Sequence, residues 1–427
     1  MRLVLLLLAF ALQLGAAVSP EFAERREKWR KANPDGILVL FGAKESEDLH
    51  YGFFQETNFL YLTGWEEPGA ILILTPEPDK DEPGLMERAR VPREILFLPQ
   101  RVPSEEKWTG RKLGPSDENV AQVTGFAKVL PAEQFESQLR ALLDLYPAIY
   151  ALPGDASATI NRLAPLRNTL DAAKQIAKLR MAKSEAEISA IQRATDASID
   201  AHKAAWRMIQ PGQFEYEIAA VMTSSYLMDG CRRSAYAPIV GSGPNSTTLH
   251  YSRNSRRMDS GEVVVMDVAA ECAGYASDIT RTIPANGHFT KRQRELYDVV
   301  LGAQRAAIAA VRPGMTIGKK TPDSLYQIAL EYIDRHGKDL HGNSLGRYFT
   351  HGLSHHVGLD VHDASDTAER LRPGMVITIE PGIYIPEENI GIRIEDVILV
   401  TPTGAKVLSA ALPSDPDELE RALAQRK

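Results

Sequence analysis

The sequence predicts an α/β (α+β) protein in two parts, an amino-terminal α/β domain and a second domain built twice from helices followed by a hairpin. Two observations carry this. Up to about residue 170, short uninterrupted apolar runs alternate with helical patterns, and beyond it two glycine-led apolar runs each end on a carboxylate.

Taken in order, Arg2 precedes the apolar run LVLLLLAFALQLGAAV, and a polar stretch begins at Pro20. The run is shorter than the roughly 20 apolar residues of a spanning helix. Gly15 and Ala17 sit at minus-three and minus-one of a cleavage site, so residues 1–17 read as a signal peptide cut after Ala17. The expected location is secreted or periplasmic without stable membrane insertion, the rival being an uncleaved amino-terminal anchor. GILVLFG (36–42), AILILTP (70–76), REILFLP (93–99) and AIYALPG (148–154) read as strands, with PAEQFESQLRALLDLYP (131–147) as a helix between them. This domain is assigned to residues 20–172 and the second to 178–427, with the boundary between Leu170 and Lys183. Ser184 and Glu187 form a capping-box pair that opens a helix whose Ile188, Ile191 and Ile199 face a core.

The second domain carries the chemistry. GEVVVMD (261–267) and GMVITIE (374–380) each place an acid six residues after a glycine. Each passes a turn region, Ala273–Gly274 or Pro381–Gly382, and returns as a second apolar stretch bearing Asp278 or Glu395, so each reads as a hairpin. Upstream lie the similar helix ends Ile209–Gly212 and Val311–Gly314. A lone acid on a strand is ordinarily solvated. Asp267 and Glu380, however, follow runs that should be buried on both faces, and a buried acid needs a partner. Two hairpins facing one another would bring four carboxylates to one point, and cations relieve that repulsion at neutral pH. Arg393, two residues before Glu395, would clamp the back of a carboxylate. HGLSHHVGLDVHD (351–363) holds four of the ten histidines and supplies the imidazole. Neighbours in an extended chain point to opposite sides, so only one of His355 and His356 can face the acids, and spacing leaves the choice open. The set points to metal-assisted hydrolysis.

YASDITRT (275–282), HGLSHHVGLDVHD, ITIEPGIY (377–384) and GIRIEDVILVT (391–401) resemble, in family order, the metal-site motifs of the aminopeptidase P and prolidase family. The resemblance implies a pita-bread catalytic domain behind a creatinase/ribonuclease H-like domain. It implies metal ligands at Asp267, Asp278, His355, Glu380 and Glu395, with His356 at a variable position. It places His250, in IVGSGPNSTTLHY, on the substrate side, with His351 and His362 around a proline ring. Glu380 is then the base, His250 or His362 stabilises the oxyanion, and Arg393 braces the ligands. FFQETNFLYLTGWEEPGAILIL (53–74), RVPSEEKWTGRKLG (101–114) and LPSDPDELERAL (412–423) are similar to the aminopeptidase P branch, so the resemblance runs from about residue 20 to the carboxyl end. The leader and the long charged loop 76–92 depart from it.

The implied activity is release of the residue preceding proline, from peptides with proline second, by a dinuclear site. Oxygen-rich donors with one imidazole suit Mn²⁺, with Co²⁺ or Zn²⁺ as substitutes. A dipeptide-specific prolidase and a non-catalytic peptide-binding protein are the other readings. The family implies a homo-oligomer, dimer or tetramer. A net charge of -7 with no basic stripe argues against a nucleic-acid partner and an anionic membrane surface. The two cysteines, Cys231 and Cys272, make no disulfide framework, though an oxidising compartment would permit one bridge.

Overall fold

The computed structural model describes residues 19–45, 52–77, 85–165, 167, 169–319, 321–365 and 369–425. The expected signal peptide lies outside them, as do residues 78–84 of the long charged loop. No described helix is long and apolar enough to cross a membrane. The chain divides into two compact units at Leu179/Arg180.

The first unit is built on a six-stranded mixed sheet. Its strands are β1 (Gly36–Phe41), β2 (Ile71–Leu74), β3 (Glu94–Leu98), β4 (Val129–Pro131), β5 (Ala148–Ala151) and β6 (Thr169–Asp171), in the order β4-β3-β2-β1-β5-β6. The centre β1–β2–β3 is antiparallel, while β4, β5 and β6 add in parallel. β1 and β2 read as unbroken apolar runs because both faces are covered. Ile37, Val39, Ile73 and Phe97 pack with Phe135, Leu139 and Leu142 of the following helix. That helix is shorter than the expected 131–147. Pro131 ends β4, a 3-10 turn covers Ala132–Gln134, and the helix runs Phe135–Leu143. Pro147 disfavours helical backbone at Tyr146 and the chain leaves the helix before it.

The second unit repeats one plan. Helix Glu185–Met208 ends before Pro211, helix Glu215–Met228 follows, and strands come next. Helix Lys291–Ala310 ends before Pro313, helix Leu325–His336 follows, and strands come again. Both long helices open with a capping box, Ser184 with Glu187 as expected and Thr290 with Gln293. Gly261 and Gly374, which lead the two matching runs, share a left-handed backbone, φ 86° and 88°.

The strands are β7 (Arg233–Ser234), β8 (Ile239–Ser242), β9 (Val263–Asp267), β10 (Ala270–Cys272), β11 (Tyr275–Ala276), β12 (Thr280–Pro284), β13 (Val376–Ile379), β14 (Gly382–Ile385), β15 (Ile390–Arg393), β16 (Asp396–Thr401) and β17 (Gly404–Val407). Each expected hairpin is two nested ladders. β9 pairs with β12 around the small pair β10–β11, and β13 pairs with β16 around β14–β15. Two expectations are corrected. Asp278 and Glu395 lie in the links between inner and outer strands, not on strands. Pro381–Gly382 is not a turn, because Gly382 begins β14 and the chain reverses near Asn389 at φ 53°. A Cβ at Gly382 would lie 2.4 Å from the Tyr384 hydroxyl, so this glycine serves close packing.

The two halves join where the Glu395 N–H donates to the Thr280 carbonyl at 3.0 Å. Arg281, buried beside this joint, donates to the Glu395 carbonyl at 2.6 Å and to Asp396 at 2.7 Å. Cys231 and Cys272 are bridged, with Cα atoms 4.4 Å apart, which ties the end of helix Glu215–Met228 to β10.

Candidate metal centre

The joint between the two nested ladders is where the acids meet. Asp267 closes β9, Asp278 and Glu395 occupy the links, and Glu380 follows β13. His355 arrives on an extended loop beside β13, its carbonyl accepting from Thr378 N at 2.9 Å and its N–H donating to Thr378 Oγ1 at 3.1 Å. All nine residues singled out in the sequence, His250, Asp267, Asp278, His351, His355, His362, Glu380, Arg393 and Glu395, line one cavity of about 330 Å³.

His355 Nε2 lies 3.3 Å from Asp278 Oδ2 and 3.5 Å from Glu380 Oε1. Ligand atoms of Asp278, His355 and Glu395 fall within 4.8 Å of one another. His356 turns the other way, is buried near Lys183 and Asp363, and has a proton affinity pushed down to about 3 by burial and Lys183. The choice left open by spacing thus falls to His355 as the imidazole that faces the acids.

Arg393 meets the carboxylate of Asp267 directly and that of its near neighbour Glu395 only through Thr280. Its guanidinium donates to Asp267 Oδ2 at 2.6 Å, to the Tyr384 hydroxyl at 2.8 Å and to Thr280 Oγ1 at 3.2 Å. Thr280 Oγ1 in turn donates to Glu395 Oε2 at 2.6 Å. The fork has passed over its near neighbour because its side chain reaches across the joint to the other half of the repeat. His351 Nδ1 donates to the Gly352 carbonyl at 2.7 Å, which leaves Nε2 to accept from Tyr384 at 2.9 Å. Burial, and then the charge of Arg393, push its proton affinity down to about 3, so it stays neutral. His362 stacks on His355, ring centroids 3.9 Å apart, and with His250 it stands at the exposed lip.

Two tyrosines were not singled out in the sequence. Tyr384 lies inside the motif ITIEPGIY but carries no spacing signal. Tyr236, in an irregular stretch, carries none at all. Its hydroxyl lies 2.5 Å from Asp267 Oδ1 and 2.7 Å from Asp278 Oδ1. A phenol has one proton to donate. The second short contact therefore needs another proton or a cation.

The proton affinities state the same need. Burial raises Glu395 well above the usual carboxylate range, and Asp278, Glu380 and Asp267 raise it further. Burial also raises Asp267 against the pull of Arg393, and lifts Glu380 to about 7. His355 is raised to about 9, because Asp278 and Glu380 outweigh the opposing effect of burial. Four carboxylates and one imidazole around one cavity fit divalent cations, and oxygen predominates among the donors.

This arrangement predicts how the metal-free protein responds to pH. Glu380 binds its proton more tightly folded than unfolded, and so does His355. Both shifts stabilise the fold at low pH and are lost as pH rises, from about 4.5 through about 7 for Glu380 and from about 6.5 through about 9 for His355. The melting temperature of chelator-treated protein is expected to fall between pH 5 and 9 more steeply than that of metal-loaded protein. Parallel curves would remove these groups from the metal site.

Comparison with known proteins agrees with this geometry. Residues 189–402 match the model of metallopeptidase family M24, and residues 22–150 match that of the aminopeptidase P N-terminal domain. A Haemophilus influenzae protein named Xaa-Pro aminopeptidase is 34% identical over 428 residues, covering 94% of this chain and 96% of its own length. The structure of aminopeptidase P from E. coli with the inhibitor Pro-Leu superposes with a TM-score of 0.83 at 32% identity, covering 96% of this chain and 99% of that one. Proline aminopeptidase P II from Yersinia pestis gives 0.83 at 32% identity, covering 95% and 99%. The chain belongs to metallopeptidase family M24, as a two-domain member with an aminopeptidase P N-terminal domain and a pita-bread peptidase domain.

Proposed function

We propose that this protein is an Xaa-Pro aminopeptidase, an exopeptidase that releases the amino-terminal residue of peptides whose second residue is proline. The carrying observation is one cavity that gathers four carboxylates, His355, three further histidines and Arg393. The likeness to Xaa-Pro aminopeptidases over 94% of the chain supports this substrate class.

In this reading Asp267, Asp278, His355, Glu380 and Glu395 hold two divalent cations, with Mn²⁺ preferred for its affinity for carboxylate oxygen. When bound, the cations supply Lewis acidity toward the scissile carbonyl and a water of lowered pKa. The protein residues do the rest. Glu380, whose Oε2 makes no hydrogen bond to the protein, takes a proton and returns it to the departing proline nitrogen. His250 or His362, at the lip, donates a hydrogen bond to the developing oxyanion. His351, fixed between Gly352 and Tyr384, flanks the proline ring. Arg393 holds Asp267 in place.

The Cys231–Cys272 bridge supports an oxidising compartment, in line with a secreted or periplasmic protein released from residues 1–17. Domain limits of 20–172 and 178–427, and a dimer or tetramer, complete the proposal.

The test is incubation of the Mn²⁺-loaded protein, its metal content measured, with a matched Xaa-Pro dipeptide and Xaa-Pro-Yaa tripeptide, reading the first residue by mass spectrometry. Tripeptide cleavage is expected. Cleavage of the dipeptide alone would make the protein a prolidase. Silence on both would favour a peptide-binding protein, and two zinc ions with full activity in unsupplemented protein would overturn the choice of manganese.

A further inference from the structure

Glu215, the first residue of helix Glu215–Met228, is fully buried some distance along the chain from every residue assigned to the reaction. Its Oε1 accepts from Ser242 N at 2.7 Å, Ser242 Oγ at 2.8 Å and Asn245 Nδ2 at 3.1 Å. Its Oε2 accepts from the Tyr251 hydroxyl at 2.8 Å and from Arg256 N at 2.8 Å. Its own N–H donates to the Arg256 carbonyl at 3.0 Å. Every one of these partners belongs to residues 242–256, from the last residue of β8 through the 3-10 turn Gly243–Thr247 and onward along the connection to β9, and that stretch carries His250 beside Tyr251. On its other side the connection is tied to β15, the strand of Arg393, by Gly391 N donating to Ser246 Oγ at 2.7 Å. A carboxylate so placed gathers both ends of a segment that, beyond its 3-10 turn, has no strand or helix of its own.

We propose that Glu215 is a positioning residue for the peptidase reaction, which sets His250 at the lip of the cavity by holding both ends of residues 242–256. The proposal rests on the reading of His250 as a substrate-side residue. An amide cannot replace this carboxylate. In either orientation its NH₂ would face a backbone N–H, that of Ser242 or that of Arg256, and neither can turn away.

The experiment compares Glu215→Gln in the wild-type and His250→Ala backgrounds, using metal-loaded full-length protein and an Xaa-Pro-Yaa tripeptide. In the wild-type background kcat is expected to fall roughly ten- to a hundredfold, the scale of a displaced positioning group, with metal content unchanged. In the His250→Ala background the same substitution should change kcat less than about twofold, the non-additivity of residues acting as one unit. Equal losses in both backgrounds would overturn the proposal. Tyr251→Phe removes the hydroxyl that donates to Glu215 and accepts from Ser255 N at 3.1 Å, and it serves if Glu215→Gln fails to fold, with a smaller loss that must also vanish without His250. The histidine ring NMR signal that disappears in His250→Ala gives a readout independent of activity. It should move in Glu215→Gln (or Tyr251→Phe) while that of the exposed His336 stays. If the wild type were inactive on Xaa-Pro peptides but the signal moved, the positioning would stand and the substrate assignment would fall. An unmoved signal would overturn the positioning itself.

Discussion

Glu380→Gln is expected to lower kcat by roughly 10²–10⁴-fold at neutral pH, the range for loss of a general acid–base group. The substitution keeps the shape of the side chain and one oxygen that can still face a cation. What it removes is a proton site. Oε1 of Glu380 is engaged by Thr378 Oγ1 at 3.2 Å and lies 3.5 Å from His355 Nε2, whereas Oε2 is 3.7 Å from His351 Nδ1, which is already committed to the Gly352 carbonyl. Oε2 is therefore the oxygen left to take and return a proton; burial raises the group's proton affinity to about 7 in the metal-free protein, and bound cations would lower it. Metal content by elemental analysis, beside kcat at saturating substrate, separates a lost base from a lost ligand. Full turnover with both metals bound would exclude Glu380 as the base. A kcat loss that excess metal reverses would make it a ligand only.

Where the sequence was legible, burial was the reason. ILVLF of β1, ILIL of β2 and VVVM of β9 are covered on both faces, so their composition alone marks them as strands. β4 and β6 have three residues each and only half-buried or exposed side chains, so pairing with β3 and β5 creates them rather than any local preference. The repeat was legible because backbone need and chemistry recur together: a left-handed glycine, an apolar run, an acid. The nesting was not. A proline followed by glycine reads as a turn, and only the approach of Tyr384 to Gly382 shows why this pair starts a strand.

The site divides along the same line. Carboxylates stranded in apolar runs, and a loop crowded with histidines, announce themselves in sequence because their cost in a core is large. The residues that orient them do not. Tyr236 touches two aspartates that are 31 and 42 positions away, and Arg393 reaches Asp267 across 126 positions while meeting Glu395, two residues on, only through Thr280 Oγ1. Such partners are chosen by tertiary packing, within one half of the repeat for Tyr236 and across the two halves for Arg393, and no local pattern encodes them.

The histidine loop has an anchor of its own, and its removal carries the largest expected cost in stability. Asp363 closes the segment HGLSHHVGLDVHD and is buried between Lys183, 3.0 Å from its Oδ2, and Arg180, 2.5 Å from its Oδ1. Burial alone would raise its proton affinity. The two cations outweigh it and hold the carboxyl below its usual range. Its N–H donates to the His356 carbonyl at 2.9 Å, so the same residue fixes the backbone immediately after His355. Asp363→Asn would remove the buried carboxylate that Lys183 and Arg180 share, whereas Asp360, which meets Arg180 at 2.7 Å, is 43% exposed. Breaking a buried pair in this way costs about 3–5 kcal/mol, a fall in melting temperature on the order of 10 °C for a unit of this size. Asp360→Asn, at the exposed member, should cost no more than about 1 kcal/mol. The two variants differ by one carboxylate on the same arginine, so their comparison isolates burial as the cause. Metal affinity should follow the same order, since His355 rides on the loop that Asp363 anchors. Denaturant melts giving equal small losses for both would show that Asp363 is not the anchor, and a stable Asp363→Asn protein with full metal content would uncouple this ion cluster from the position of His355.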